Sequence, residues 1–180
     1  MWKNYFMLFG LPERFEVDGG VLQARYRSQQ LQCHPDITVG AGAQERRIHA
    51  QMSAYVNDAY RTLASPLKRA AYLLSLKGIT LDSETDTQLP ADFLMTQMVL
   101  RETVEVIASG QASVAMEEDY RETLEYEQQA LAMQFSTAFE RQDYATARQM
   151  VRKWQFFVSL ETQLRFAAIQ ENKTTGTTLC

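Results

Sequence analysis

The chain holds two histidines, His34 and His49, and His34 opens the trio His34-Pro35-Asp36. An imidazole and a carboxylate separated by one proline can offer hydrogen-bond and charge contacts to another molecule. The proline fixes a backbone dihedral and so stiffens their presentation. The same trio can also be no more than a helix stop and a turn, because the residue before proline is pushed out of the helical region. Asp36 would then bond nearby backbone amides. A reaction centre would need more: paired acid and base groups converging in a pocket. His34 and His49 stand fifteen residues apart with no HExxH and no cysteine cluster, so a metal site is not expected. No GxxxxGK[ST] or GxGxxG is present, so a nucleotide site has no support. Cys33 and Cys180 form no CxxC and supply neither a disulfide framework nor a cluster ligand set. No cofactor is expected, and taken alone the trio reads as a helix stop and turn; the elements on either side of it change that weighing.

The elements around the trio are helical. Asn4 caps a short helix through Leu8, which Gly10 and Pro12 end. Asp18 caps a second helix running to about Cys33, with Leu22, Tyr26 and Cys33 on one face. A loop follows through Gly42. Ile48, Met52, Tyr55, Val56, Ala59 and Leu63 then recur at helical spacing. Ser65-Pro66 reads as a cap and first position of a fourth helix that stops near Gly78. Two long helices joined at 34–36 make an antiparallel pair.

Residues 79–90 are polar and read as a linker. After Pro90 the chain has no proline and only Gly110 and Gly176, which favours long helices over about 91–109, 113–141 and 143–170. The tight Arg141-Gln142-Asp143 connection implies a helical hairpin. No alternating Val/Ile/Thr-rich run points to a sheet.

The helix at 91–109 has two apolar faces. Phe93, Leu100, Val104 and Ile107 share one side, while Met95, Met98, Val99, Glu102 and Val106 gather on nearly the opposite side, flanked by Leu94. A bundle helix needs one buried stripe. The second must meet something else, and methionines suit a surface that accepts a partner. In the last helix Met150, Trp154, Phe157 and Leu164 form a core stripe, whereas Phe156 points about 200° away from Trp154.

The 180 residues carry 18 Lys/Arg against 22 Asp/Glu, unevenly placed: nine against six in 1–76, nine against sixteen in 77–180. A basic first part and an acidic second part suggest two modules with different partners. A nucleic-acid binder would more usually be basic overall. No apolar run reaches the roughly 18 residues of a membrane span, and no signal or transit pattern opens the chain. Partners are therefore expected to be proteins, with no nucleic acid, membrane or small-molecule substrate.

Tyr26-Arg27 stands eight and seven residues before His34, and with His34-Pro35-Asp36 and the helix pair it resembles a J-domain. The resemblance extends to a particular family, the HscB iron–sulfur co-chaperones. Asn4-Tyr5-Phe6-Met7-Leu8-Phe9-Gly10-Leu11-Pro12 is similar to that family's opening. Asn57-Asp58-Ala59-Tyr60-Arg61-Thr62-Leu63 and the run from Pro66 to Leu76 are similar to the end of its J-domain. Phe93-Leu94-Met95 and Leu100-Arg101-Glu102 resemble the start of its C-terminal domain.

The resemblance implies an all-α protein with a J-domain over 1–76, a linker over 77–90, a three-helix scaffold-binding bundle over 91–171 and a flexible tail over 172–180. It implies a co-chaperone, without chemistry of its own, that stimulates the ATPase of a DnaK-like chaperone, HscA, and delivers the scaffold IscU to it. The setting implied is the bacterial cytoplasm, and any iron–sulfur connection runs through a partner. Carried over by position, the chaperone-binding residues are His34, Pro35, Asp36, Arg25 and Arg27. The scaffold-binding residues are Leu94, Met95, Met98, Glu102 and Phe156. Ile37 and Ser28 stand where many J-domains are basic, which weakens the expected electrostatics. Val99 and Val106 stand where the family can be acidic, which makes the second surface more apolar. Two other readings stay open: an adaptor for a different client, and a purely structural helical interaction protein.

Overall fold

A computed structural model describes residues 3–32, 42–81 and 91–176. All regular structure among them is helical: α1 (Tyr5–Leu8), α2 (Gly19–Gln32), α3 (Ala43–Ala64), α4 (Pro66–Leu76), α5 (Ala91–Ala108), α6 (Val114–Glu140) and α7 (Tyr144–Gly176). The chain separates into two compact units, Met1–Ile79 and Thr80–Cys180.

Local chemistry sets the helix ends of the first unit. Asn4 Oδ1 accepts from the Met7 amide at 2.8 Å and starts α1. Asp18 Oδ1 accepts from the Val21 amide at 2.9 Å and starts α2. Ser65 caps α4, with Pro66 in the first turn where a missing N–H costs nothing. Gly78, at φ 76°, closes α4, and the Ile79 amide bonds back to the Leu74 carbonyl at 3.0 Å.

α2 packs on α3, and α1 and α4 also pack on α3. Phe6, Leu8, Phe9, Leu22, Val56, Ala59, Leu63, Leu73 and Leu74 are buried between them. Arg69 is buried as well. Its guanidinium donates to the Leu63 carbonyl at 2.6 Å and lies over the Phe15 ring, 5.0 Å from the centroid. Burial lowers its pKa, partly countered by Glu16. The Tyr5 ring stacks on Tyr72 at 4.5 Å and meets Tyr55 edge-on at 5.3 Å, fastening α1 to α4 and α3. Ile48, placed on the core stripe by its spacing, is exposed instead. It lies in the first turns of α3, beyond the level at which the end of α2 is bonded to Asn57.

In the second unit α6 and α7 form a hairpin, and α5 packs on α7. Gln142, at φ 60°, makes the tight turn, and Asp143 opens α7 by accepting from the Thr146 amide at 3.1 Å. Bonds from Thr146 hold the Asp143 carboxyl below its usual range. Tyr120, Leu124, Leu131 and Phe135 of α6 and Met150, Val151, Trp154, Phe157, Leu160 and Leu164 of α7 are buried in this unit. α7 runs to Gly176, past the expected end near 170, because no proline or glycine interrupts the polar residues between.

Candidate partner-binding surfaces

His34, Pro35 and Asp36 lie outside the described residues, as do Cys33 and Ile37. Among the described residues, α2 ends at Gln32 before them and α3 begins at Ala43 after them. Of the fourteen residues of α2 only Leu22 is buried; Tyr26 and Gln29 are half-buried. One leucine holds a helix against its neighbour but leaves its rotation weakly determined. Tyr26 supplies the missing constraint. Its ring stacks on Tyr60 of α3 with centroids 4.0 Å apart and planes 15° apart. Its hydroxyl donates to Asn57 Oδ1 at 2.8 Å, and Gln30 donates to the same hydroxyl.

Arg25 and Arg27 flank Tyr26 and are both exposed, but they do not form one basic face. Positions two apart on a helix project about 160° from each other. Arg25 turns toward the Gly10 corner, where a Cβ added to the glycine would stand 3.7 Å from its Nη1. Arg27 projects on the other flank.

α5 divides as its sequence pattern implies. Phe93, Val104 and Ile107 are buried. Leu94, Met95 and Met98 are 48, 66 and 60 % exposed, and Val99 and Val106 extend the apolar surface beside them. Glu102 is exposed within the same face. Such a continuous apolar face on a helix that has already met its core is a feature of interaction surfaces.

Phe156 departs from this set. The family resemblance places it on the scaffold-binding surface, yet it is 8 % exposed. It packs edge-on against Phe93 at 5.7 Å and Phe157 at 5.6 Å. The cause is the central position of α7, which packs on both α6 and α5 and therefore needs two buried stripes. Trp154 serves the first, its indole N–H reaching Gln128 of α6 at 3.4 Å. Phe156 serves the second. Sequence reasoning also missed the partners of Tyr26; the spacing of Tyr26 with Gln30, and of Asn57 with Tyr60, marks pairs on single helix faces that could have exposed the contact. Among the described residues, no group of three or more His, Cys, Asp or Glu could hold a metal ion, and no helix is long and apolar enough to cross a membrane.

A helical hairpin with short flanking helices, followed by a separate bundle with an exposed apolar face, is the architecture of a J-domain co-chaperone. A family model described as the HSCB C-terminal oligomerisation domain matches residues 89–165. A co-chaperone protein HscB homolog of Bordetella avium is 39% identical over 168 residues, covering 93% of this chain and 97% of that one. This chain belongs to the HscB co-chaperone family. Its fold is similar to that of the chaperone HscB from Vibrio cholerae, with a TM-score of 0.83 at 35% identity, covering 93% of this chain and 99% of the other. It is also similar to the human co-chaperone protein HscB, with a TM-score of 0.85 at 30% identity, covering 93% and 83%.

Proposed function

We propose that this chain stimulates ATP hydrolysis by a DnaK-like chaperone, HscA, and delivers to it IscU, the scaffold on which iron–sulfur clusters are assembled. The setting is the bacterial cytoplasm. The observation that carries the reading is the division of α5 into a buried face and an exposed apolar one. A surface that the bundle itself does not use is available to a protein client. Leu94, Met95 and Met98 supply its apolar area and Glu102 its charge. Phe156 backs it from the core.

In the first unit, His34, Pro35 and Asp36 engage the ATPase domain of the chaperone, and the exposed guanidinium of Arg27 steers its acidic surface. Arg25 contributes from a different side. Contacts of this kind activate by stabilising one state of the chaperone over another. The chain thus supplies differential binding, and the chaperone performs the hydrolysis.

Single-turnover ATP hydrolysis by HscA, with and without this chain and IscU, tests the reading. Stimulation by the chain that IscU enhances further supports it. Stimulation without enhancement would keep the J-domain function and assign the α5 face to a different client. No stimulation would leave a helical interaction protein.

A further inference from the structure

The contact between α2 and α3 bears on how Arg27 is presented. Leu22 is the only buried residue of α2, and it lies in the helix's first turns. The next anchor toward the C-terminal end is Tyr26, stacked on Tyr60 at 4.0 Å and bonded to Asn57 at 2.8 Å. Gln30, one turn further, donates to the Tyr26 hydroxyl and reaches Asn57 Oδ1 at 3.4 Å. A stack with nearly parallel planes allows sliding but resists tilting, and the directed hydroxyl bond opposes sliding. Together they fix the rotation of α2 about its own axis. Arg27 follows Tyr26 directly, so that rotation decides where its guanidinium points.

We infer that Tyr60 and Asn57 are positioning residues for chaperone engagement: they hold Tyr26 and thereby set the direction of Arg27. This rests on the proposed chaperone function. Neither residue needs to touch the chaperone. Their effect is on how often the bound orientation of Arg27 is present in the free protein, and a lower fraction weakens apparent affinity in proportion.

The test is a dose–response of HscA ATPase stimulation with Asn57→Ala, Tyr60→Leu and Tyr60→Phe, each with and without Arg27→Ala. Asn57→Ala and Tyr60→Leu should each raise the half-saturating concentration about three- to tenfold, the scale of one lost hydrogen bond or stack, while maximal stimulation is retained. Tyr60→Phe keeps the stack and should match the parent. In either weakened background Arg27→Ala should add less than its full effect, since a mispointed arginine has less to lose. Fully additive effects, or a fall in maximal stimulation that tracks the unfolded fraction, overturn the inference. Amide exchange at residues 26–32 gives a readout independent of activity. It should quicken in Asn57→Ala, and unchanged exchange counts against the clasp. If the parent fails to stimulate HscA, the chaperone reading itself fails and takes this inference with it; if the parent stimulates but Arg27→Ala leaves its half-saturation unmoved, the chaperone reading stands and this inference alone is overturned.

Discussion

The Arg101 guanidinium lies over the Phe156 ring, 5.6 Å from its centroid. Arg101 belongs to α5 and Phe156 to α7, so the contact bridges the helix carrying the exposed face and the helix supporting it. Phe93 of α5 also meets the ring, edge-on at 5.7 Å. The ring therefore anchors α5 to α7, and its removal acts first on the bundle. Phe156→Ala should lower the stability of the second unit by about 3–5 kcal/mol, the usual range for deleting a buried phenylalanine. Arg101→Ala should cost no more than about 1 kcal/mol, as expected for an exposed cation over a ring. Urea denaturation of both variants checks this. A Phe156→Ala midpoint equal to the parent's would return the residue to the surface.

Met95 and Met98 make the opposite case. Both are mostly exposed, so truncation should shift stability by no more than about 0.5 kcal/mol. On the proposed function the same change removes the centre of the IscU surface. Met95→Ala with Met98→Ala should weaken IscU binding by about 2 kcal/mol, the scale of a hot-spot loss, and leave HscA stimulation in the absence of IscU intact. Calorimetric titration of IscU into the double variant decides the point. Equal affinity would sink the assignment of α5.

His34→Gln separates the units from the other side. The proposed role of His34 is contact with the chaperone, so the substitution should abolish ATPase stimulation. IscU affinity and the thermal midpoint should stay at the parent's values. Stimulation that survives would reduce His34-Pro35-Asp36 to a turn.

The helical framework was legible in the residues because its signals are local. Asn4, Asp18, Ser65 and Ser113 sit where side-chain caps form, and each accepts the amide its position implies. The two faces of α5 were legible because periodicity reports which positions share a side. It does not report how many neighbours a helix has. Phe156 was misplaced for that reason: a second apolar stripe means a partner on a helix at the rim, but a second core on a helix in the middle. The clasp of Tyr26 by Asn57 and Tyr60 spans 31 residues in its hydroxyl bond; the spacing of Tyr26 with Gln30 and of Asn57 with Tyr60 marks the two faces, but the register that pairs them is not a local signal. The division of Arg25 from Arg27 follows from helical geometry alone.

Alkaline pH tests the tyrosines that tie helices together. The Tyr120 hydroxyl donates to the Leu100 carbonyl at 2.7 Å, linking α6 to α5, and burial pushes its pKa up to about 12. Tyr5 is raised by burial and then by Asp58, whose carboxylate accepts its hydroxyl. Burial raises Tyr72 too. In the unfolded chain a tyrosine ionises near about 10. A group whose folded pKa lies above its unfolded value contributes its full stability below the unfolded pKa and loses it as pH rises through the folded one. The fold should therefore hold its stability up to about pH 9.5 and lose it progressively from about 10 toward 12. Urea titrations followed by far-UV circular dichroism across that window supply the measurement. Tyr120→Phe removes the donor, so it should lower the midpoint at pH 8 and shrink the alkaline loss by the share Tyr120 supplies. A parent midpoint that stays level between about pH 9.5 and 11.5 would show that ionisation of these hydroxyls is not opposed by the fold.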